Sequence, residues 1–234
     1  MSEADVQRLR QQLADCTRIM VMQEIMDFSG HISARIPSID RILIQPRDTS
    51  RAGLTADDIL VVDLANNVLE GQGPAPSETA LHTAVYKARP DAVAVCHGHP
   101  TMSTLFTVVD RPFLAVRNFA YRFAGGVPVH PDTTHIRTEE QGRAVAETLG
   151  QNTVCLLRGH GTCVASRSVE ELLMDCLDIE ENARSLLYAS GLGPLLSITQ
   201  DEVAQLRDSY GRSDYRAAKV WEHYQHKGRL AGIL

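Results

Sequence analysis

Three histidines and one glutamate stand where they could hold a metal ion. Residues 93–100 read Val-Ala-Val-Cys-His-Gly-His-Pro, a short run of β-favouring residues closed by Pro100. Side chains alternate along a strand, so His97 and His99 share one face while Cys96 and Gly98 take the other. Two neutral imidazoles on one face suit a single cation. Glu78 opens a helix just before this strand, within Ala75-Pro-Ser-Glu-Thr-Ala-Leu-His82. His160 lies between two glycines beyond the apolar run 153–157. Three imidazoles and a carboxylate are a donor set for Zn²⁺, Mn²⁺, Co²⁺ or Fe²⁺, and three protein ligands leave positions open for substrate. Glycines flanking His160 fit a place where backbone must come close to something else.

These motifs resemble the class II aldolase/adducin family, whose members carry a Ser-Glu at a helix start, an H-x-H strand and a distant histidine in a Gly-rich turn. Here they are Ser77-Glu78, His97-Gly98-His99 and His160, and the resemblance runs from about residue 13 to about residue 195. It implies one divalent ion per subunit on His97, His99 and His160, with Glu78 as acid/base and as a further ligand of the empty site. It also implies a homo-oligomer, commonly a tetramer with the metal at a subunit boundary.

Departures from the phosphosugar members bear on substrate. Those members have a Gly-Asn-x-Ser turn, a Thr-Gly loop and a Ser-Ser pair that together cradle phosphate. This chain has Gly30-His31-Ile32-Ser33, Pro46-Arg47-Asp48-Thr49 and Pro76-Ser77 instead. His31 and Arg47 are then candidates to hold a carboxylate, Arg47 in bidentate fashion, with Ser33 and Ser77 completing the substrate set. The tyrosine that protonates the leaving aldehyde in phosphosugar aldolases falls nearest Asn118, and Tyr121 is displaced from it by about one turn. Tyr121 is the candidate proton donor. The family also has members resembling decarboxylases of hydroxylated aromatic or pyridine dicarboxylates, which need a metal and a carboxylate grip but no phosphate cradle.

A cation with open positions draws electron density from the carbon next to the oxygens it holds, and a nearby carboxylate moves protons. The expected function is therefore a divalent-metal-dependent carbon–carbon lyase acting on a non-phosphorylated hydroxylated carboxylate, by decarboxylation through a stabilised enolate or phenolate. Aldol cleavage of a hydroxy-keto acid or sugar phosphate is the alternative. A non-catalytic adducin-type scaffold is a third reading, and it has no need of the four donors.

The elements that must position these residues follow from patterning. Residues 3–26 carry apolar side chains at helical spacing, and Gly30 breaks that helix before a strand. Residues 41–45, 59–63 and 68–70 complete a meander around an Asn66-Asn67 turn. A short helix is expected over 101–106, with strands over 113–116 and 127–129. Thr138 with Gln141, Ser168 with Glu171, and Thr199 with Glu202 have the spacing of helix-opening capping boxes. A last helix spans 214–227. The expected fold is one α/β domain over 1–234, a three-layer α/β/α sandwich with a mixed, largely antiparallel sheet and residues 196–234 as a helical tail; the resemblance supports that layering.

With 234 residues, 44% hydrophobic and 22% charged, the composition is that of an ordinary globular protein. A net charge of −6 with scattered basic residues argues against a nucleic-acid surface. There is no signal peptide and no apolar run long enough to span a bilayer. Five cysteines without a C-x-x-C pair read as buried thiols in a reducing cytoplasm. His82, the 129–135 turn and His223 with His226 take structural or solvated readings first, although 129–135 could also touch substrate.

Overall fold

A computed structural model describes residues 2–37, 39–210 and 213–234. The first helix, α1 (Glu3–Met22), opens on a capping box between Ser2 and Asp5. It stops at Met22 rather than residue 26, because the amides of Ile25 and Met26 turn back to the Met20 carbonyl and Glu24 takes a φ of 58°. Strands β1 (His31–Ile36), β2 (Arg41–Ile44), β3 (Leu60–Asp63) and β4 (Val68–Glu70) form the antiparallel meander. Next come α2 (Thr79–Ala88), β5 (Ala94–Gly98), α3 (Thr101–Leu105), a 3₁₀ segment (Asn118–Phe123) and the short β6 (Val129–His130). The chain continues through α4 (Glu139–Leu149), β7 (Val154–Leu157), β8 (Gly161–Ser166), α5 (Val169–Ser190), α6 (Gln200–Tyr210) and α7 (Ser213–Leu230).

The described strands make one eight-stranded sheet in the order β4-β3-β2-β1-β5-β8-β7-β6. All neighbours are antiparallel except β6 and β7. One face packs on α1 and α5 through Leu13, Ile19, Ile32, Cys96, Val164 and Leu172. The other packs on α2 and α4 through Leu81, Val85, Val95, Val145, Leu157 and Cys163. The three-layer, largely antiparallel sandwich is thus the observed architecture. Strand alternation divides β5 between the two cores, with Ala94 and Cys96 in one and Val95 in the other, so His97 falls on the α2 side. All five cysteines are buried thiols.

Two expectations need correction. Residues 113–116 form no strand, because the Asn182 side chain on α5 serves them as a surrogate partner. Its amide donates to Leu114 O at 2.9 Å, and its oxygen accepts from Val116 N at 3.0 Å. Of 127–129, only Val129 pairs, with His130 added. Strand β8, Gly-Thr-Cys-Val-Ala-Ser, has no alternating pattern because it is buried along its whole length.

At the C-terminus α7 lies on α5, where Arg216 Nη2 donates to Asp178 Oδ1 at 2.7 Å. Trp221 and Tyr224 pack against the α1–α5 core.

Candidate metal centre

The centre forms where β5 ends. His97 is its last histidine and fully buried; His99 lies one residue beyond the strand with 22% of its side chain exposed. Glu78 is the N-cap residue of α2 but makes no side-chain cap, which leaves its carboxylate turned to the sheet. His160 sits in the tight turn between β7 and β8, its amide donating to Leu157 O at 3.0 Å. Gly159 holds a φ of +62° there, a conformation that favours glycine. Gly161 has a different constraint: a Cβ on it would stand 2.2 Å from the Gly98 carbonyl oxygen across the β5–β8 pairing.

Donor atoms of Glu78, His97, His99 and His160 all lie within 4.8 Å of one another. The His99 and His160 rings stack with centroids 5.3 Å apart, and His97 stands edge-on to both. Hydrogen bonds from behind orient the rings. His97 Nδ1 donates to Thr162 O at 3.0 Å, so Nε2 carries the lone pair. That Nε2 is buried without a hydrogen bond, although it lies 3.2 Å from Glu78 Oε2. His99 Nδ1 meets Asp27 Oδ2 at 3.1 Å, and Asp27 Oδ1 accepts from the Ser29 and Gly30 amides at 2.9 Å. Both His160 nitrogens are buried and unpartnered. Bare buried nitrogens facing a carboxylate are costly alone. The four residues therefore fit a divalent cation.

Charge states agree. Burial alone would raise the Glu78 carboxyl, but the adjacent His97 imidazole, with the Ile136 amide donating to Oε1 at 2.9 Å, holds it at about 2. Burial, then the neighbouring His97 imidazole, depresses His160 to about 4 and His82 to about 3. The same causes, in the same order, lower His99. These imidazoles are neutral near pH 7, the state a metal requires.

A pH dependence of stability follows. In the unfolded chain His82 titrates near the ordinary imidazole value of 6.5, so between there and about 3 the unfolded state binds more protons. Folding stability should be full above that window and fall as pH drops through it. Urea midpoints from about pH 7.5 down to about pH 4 should decline; a flat profile would contradict a buried neutral His82.

The other expected site residues divide. His31 pairs across the sheet with His97, and their ring centroids are 5.1 Å apart. Ser77 is exposed beside Glu78. Ser33 is fully buried with its hydroxyl taken by His82 and Tyr86, so it is not free for substrate. Arg47 is exposed and bound to Asp48 at 2.9 Å, not turned to the quartet. The 3₁₀ segment carries Tyr121 to a cavity lined by Ala165 and Ser166, where it stacks on Tyr210. That is the far end of β8 from His160, roughly 17–20 Å of strand away, so Tyr121 does not join the metal residues within this chain.

Two residues were missed, Asp27 and Arg51. Asp27, two before Ser29, has the spacing of an Asx turn, which was the available signal. His135, in a segment read first as a turn and otherwise as a substrate contact or second metal site, places Nδ1 3.7 Å from Glu78 Oε1 on the open side. Arg51 is buried where Arg47 was expected to act. Its Nε donates to Gly30 O at 2.8 Å and its Nη1 to the carbonyls of Pro46, Arg47 and Thr49. Arg51→Met strands those carbonyls and should cost about 3 kcal/mol, read as a lower urea midpoint; an unchanged midpoint would show that water replaces the guanidinium.

Comparison with known proteins gives the same family. Residues 11–187 match the Class II Aldolase and Adducin N-terminal domain. The 3,4-dihydroxyphthalate decarboxylase of Arthrobacter keyseri is 32% identical, over 92% of this chain and 91% of that protein. An L-fuculose phosphate aldolase of Escherichia coli O6:H1 is 30% identical, over 78% of this chain and 84% of that protein. The solved structure of an aldolase II superfamily protein from Pseudomonas syringae superposes with a TM-score of 0.88 at 21% identity, covering 100% of this chain and 96% of that one, a likeness of fold alone. With its donors converging where its own sequence motifs require, this chain belongs to the class II aldolase and adducin family.

Proposed function

We propose that the protein is a metal-dependent decarboxylase of a hydroxylated aromatic or pyridine dicarboxylate. The observation that carries the reading is the quartet of Glu78, His97, His99 and His160, whose bare buried nitrogens need a cation. Decarboxylation is preferred over aldol cleavage because the decarboxylase relative covers more of the chain, 92% against 78% for the aldolase.

His97, His99 and His160 hold the ion, one Zn²⁺ or Mn²⁺ per subunit, with Glu78 beside it. When bound, the ion supplies positive charge where the substrate becomes electron-rich as CO₂ departs. Glu78, ionised and fixed by the Ile136 amide on Oε1, moves a proton between the substrate hydroxyl and the ring carbon that loses its carboxylate. His31 binds a substrate carboxylate, and the exposed His135 meets the substrate from the open side. Ser77 borders the entrance. The assembly is read as a homotetramer of single-unit subunits over 1–234, in the cytoplasm, where five reduced thiols are at home. No described helix is long and apolar enough to cross a membrane.

The test loads metal-free protein with Mn²⁺ or Zn²⁺ and supplies 3,4-dihydroxyphthalate, hydroxypyridine dicarboxylates, hydroxy-keto acids and sugar phosphates. CO₂ release that depends on metal is expected from the aromatic or pyridine dicarboxylates. Release of an aldehyde or ketone without CO₂ would make the protein an aldolase and overturn the reading.

A further inference from the structure

Behind His31 runs a chain of buried polar side chains. His31 and Ser33 come from β1, two residues apart and so on one face; His82 and Tyr86 come from α2, one turn apart and so also on one face. All four are at most 2% exposed. His31 Nδ1 lies 2.7 Å from His82 Nε2, His82 Nδ1 2.7 Å from Ser33 Oγ, and Ser33 Oγ 2.9 Å from Tyr86 Oη. Tyr86 Oη also lies 3.4 Å from Val93 O.

Each link needs one donor and one acceptor, so the direction at one end dictates the rest. The 2.9 Å contact between Tyr86 Oη and Ser33 Oγ is a bond in either direction, but a phenol is the stronger donor and an alcohol the stronger acceptor, and the Val93 carbonyl, 3.4 Å from Oη, already accepts the Arg35 amide at 2.7 Å. With Tyr86 donating to Ser33, the single Ser33 proton goes to His82 Nδ1. His82 must then carry its proton on Nε2 and donate it to His31 Nδ1. His31 is left with its proton on Nε2, for which no hydrogen bond to a described residue is found. Two protonated nitrogens cannot face each other at 2.7 Å, so the link also keeps the His31–His82 pair from being doubly charged.

We propose that Tyr86, Ser33 and His82 are positioning residues that fix the proton of His31 on Nε2, so that His31 meets the substrate as an uncharged N–H donor. An N–H so directed suits a carboxylate oxygen and gives a bare metal ion no lone pair to bind. His31 therefore stays out of the ligand set although it sits against His97. The proposal rests on the reading of His31 as a substrate contact, but its test needs no substrate and can fail separately.

Histidine-labelled protein, metal-free and Zn²⁺-loaded, is examined by ¹⁵N NMR, in which protonated and bare ring nitrogens are well separated; His31→Gln identifies the His31 signals. Wild type should show His31 protonated on Nε2 and bare on Nδ1. Tyr86→Phe removes the directing proton and should convert His31 to a mixture of tautomers, as should Ser33→Ala, with Zn²⁺ affinity unchanged within about twofold. A wild-type His31 protonated on Nδ1 overturns the proposal without any variant. So does a His31 tautomer unmoved in both folded variants.

Discussion

His97→Ala should remove metal and turnover together. Its ring is fully buried, anchored through Nδ1 on the Thr162 carbonyl, with Nε2 against Glu78 and the other two histidine rings within 5 Å. No neighbour can take its place, because His31 is held by His82 and has its own orientation. Loss of the ion forfeits several kcal/mol of charge stabilisation, on the order of 10³-fold in rate. Elemental analysis of purified protein and a rate measurement at saturating metal check this together. His160→Ala serves as the second case, since His160 bears no structural hydrogen bond from its ring and its loss disturbs packing least. Chelation of the wild type should reproduce both variants. Full turnover in the chelated protein would end the metal mechanism.

Glu78→Gln should separate metal binding from proton transfer. The amide keeps the shape and can still accept the Ile136 N–H through its oxygen, so α2 and the 133–137 loop stay in place. What disappears is an ionised group able to take and return a proton, a contribution of about 10² to 10⁴ in rate. The expected result is metal bound at saturation, an unchanged fold and turnover reduced by that factor. Turnover near wild type would take Glu78 out of acid/base work and leave it a ligand only. The open-side neighbour His135, 3.7 Å away, is then the next group to replace.

The quartet was legible because each member sits on a local signal: a strand end closed by proline, a helix start and a Gly-His-Gly turn. The sheet's meander, the capping boxes at Thr138 and Thr199 and the Ser168 N-cap were legible for the same reason, although Glu171 turns its carboxylate to the Arg167 amide rather than back to Ser168. What could not be read depends on which elements meet. Ser33 alternates with Ile32 and Ala34 to face α2, but only the packing of α2 supplies His82 and Tyr86 to occupy it. Arg47 and Arg51 lie in one polar loop, and burial chooses between them; the buried one is consumed by backbone carbonyls. Tyr121 is one turn from the position of the family's tyrosine in sequence, whereas the segment between α3 and β6 carries it to the far end of β8. Residues 113–116 have the composition of a strand, but the Asn182 side chain and the Ile198 amide take the hydrogen bonds that a partner strand would.

Gly161 donates nothing to a ligand, yet a saturation-mutagenesis map of this protein should show it as intolerant as the histidines. Any side chain there meets the Gly98 carbonyl before it meets anything that can yield, and relief would spread β5 from β8, taking His99 away from His160. A tolerance map read by itself would count Gly161 among the reactive groups. Metal titration of a folded Gly161→Ala protein distinguishes the two meanings. Ligand spacing in this protein is set by how closely two backbones are allowed to lie.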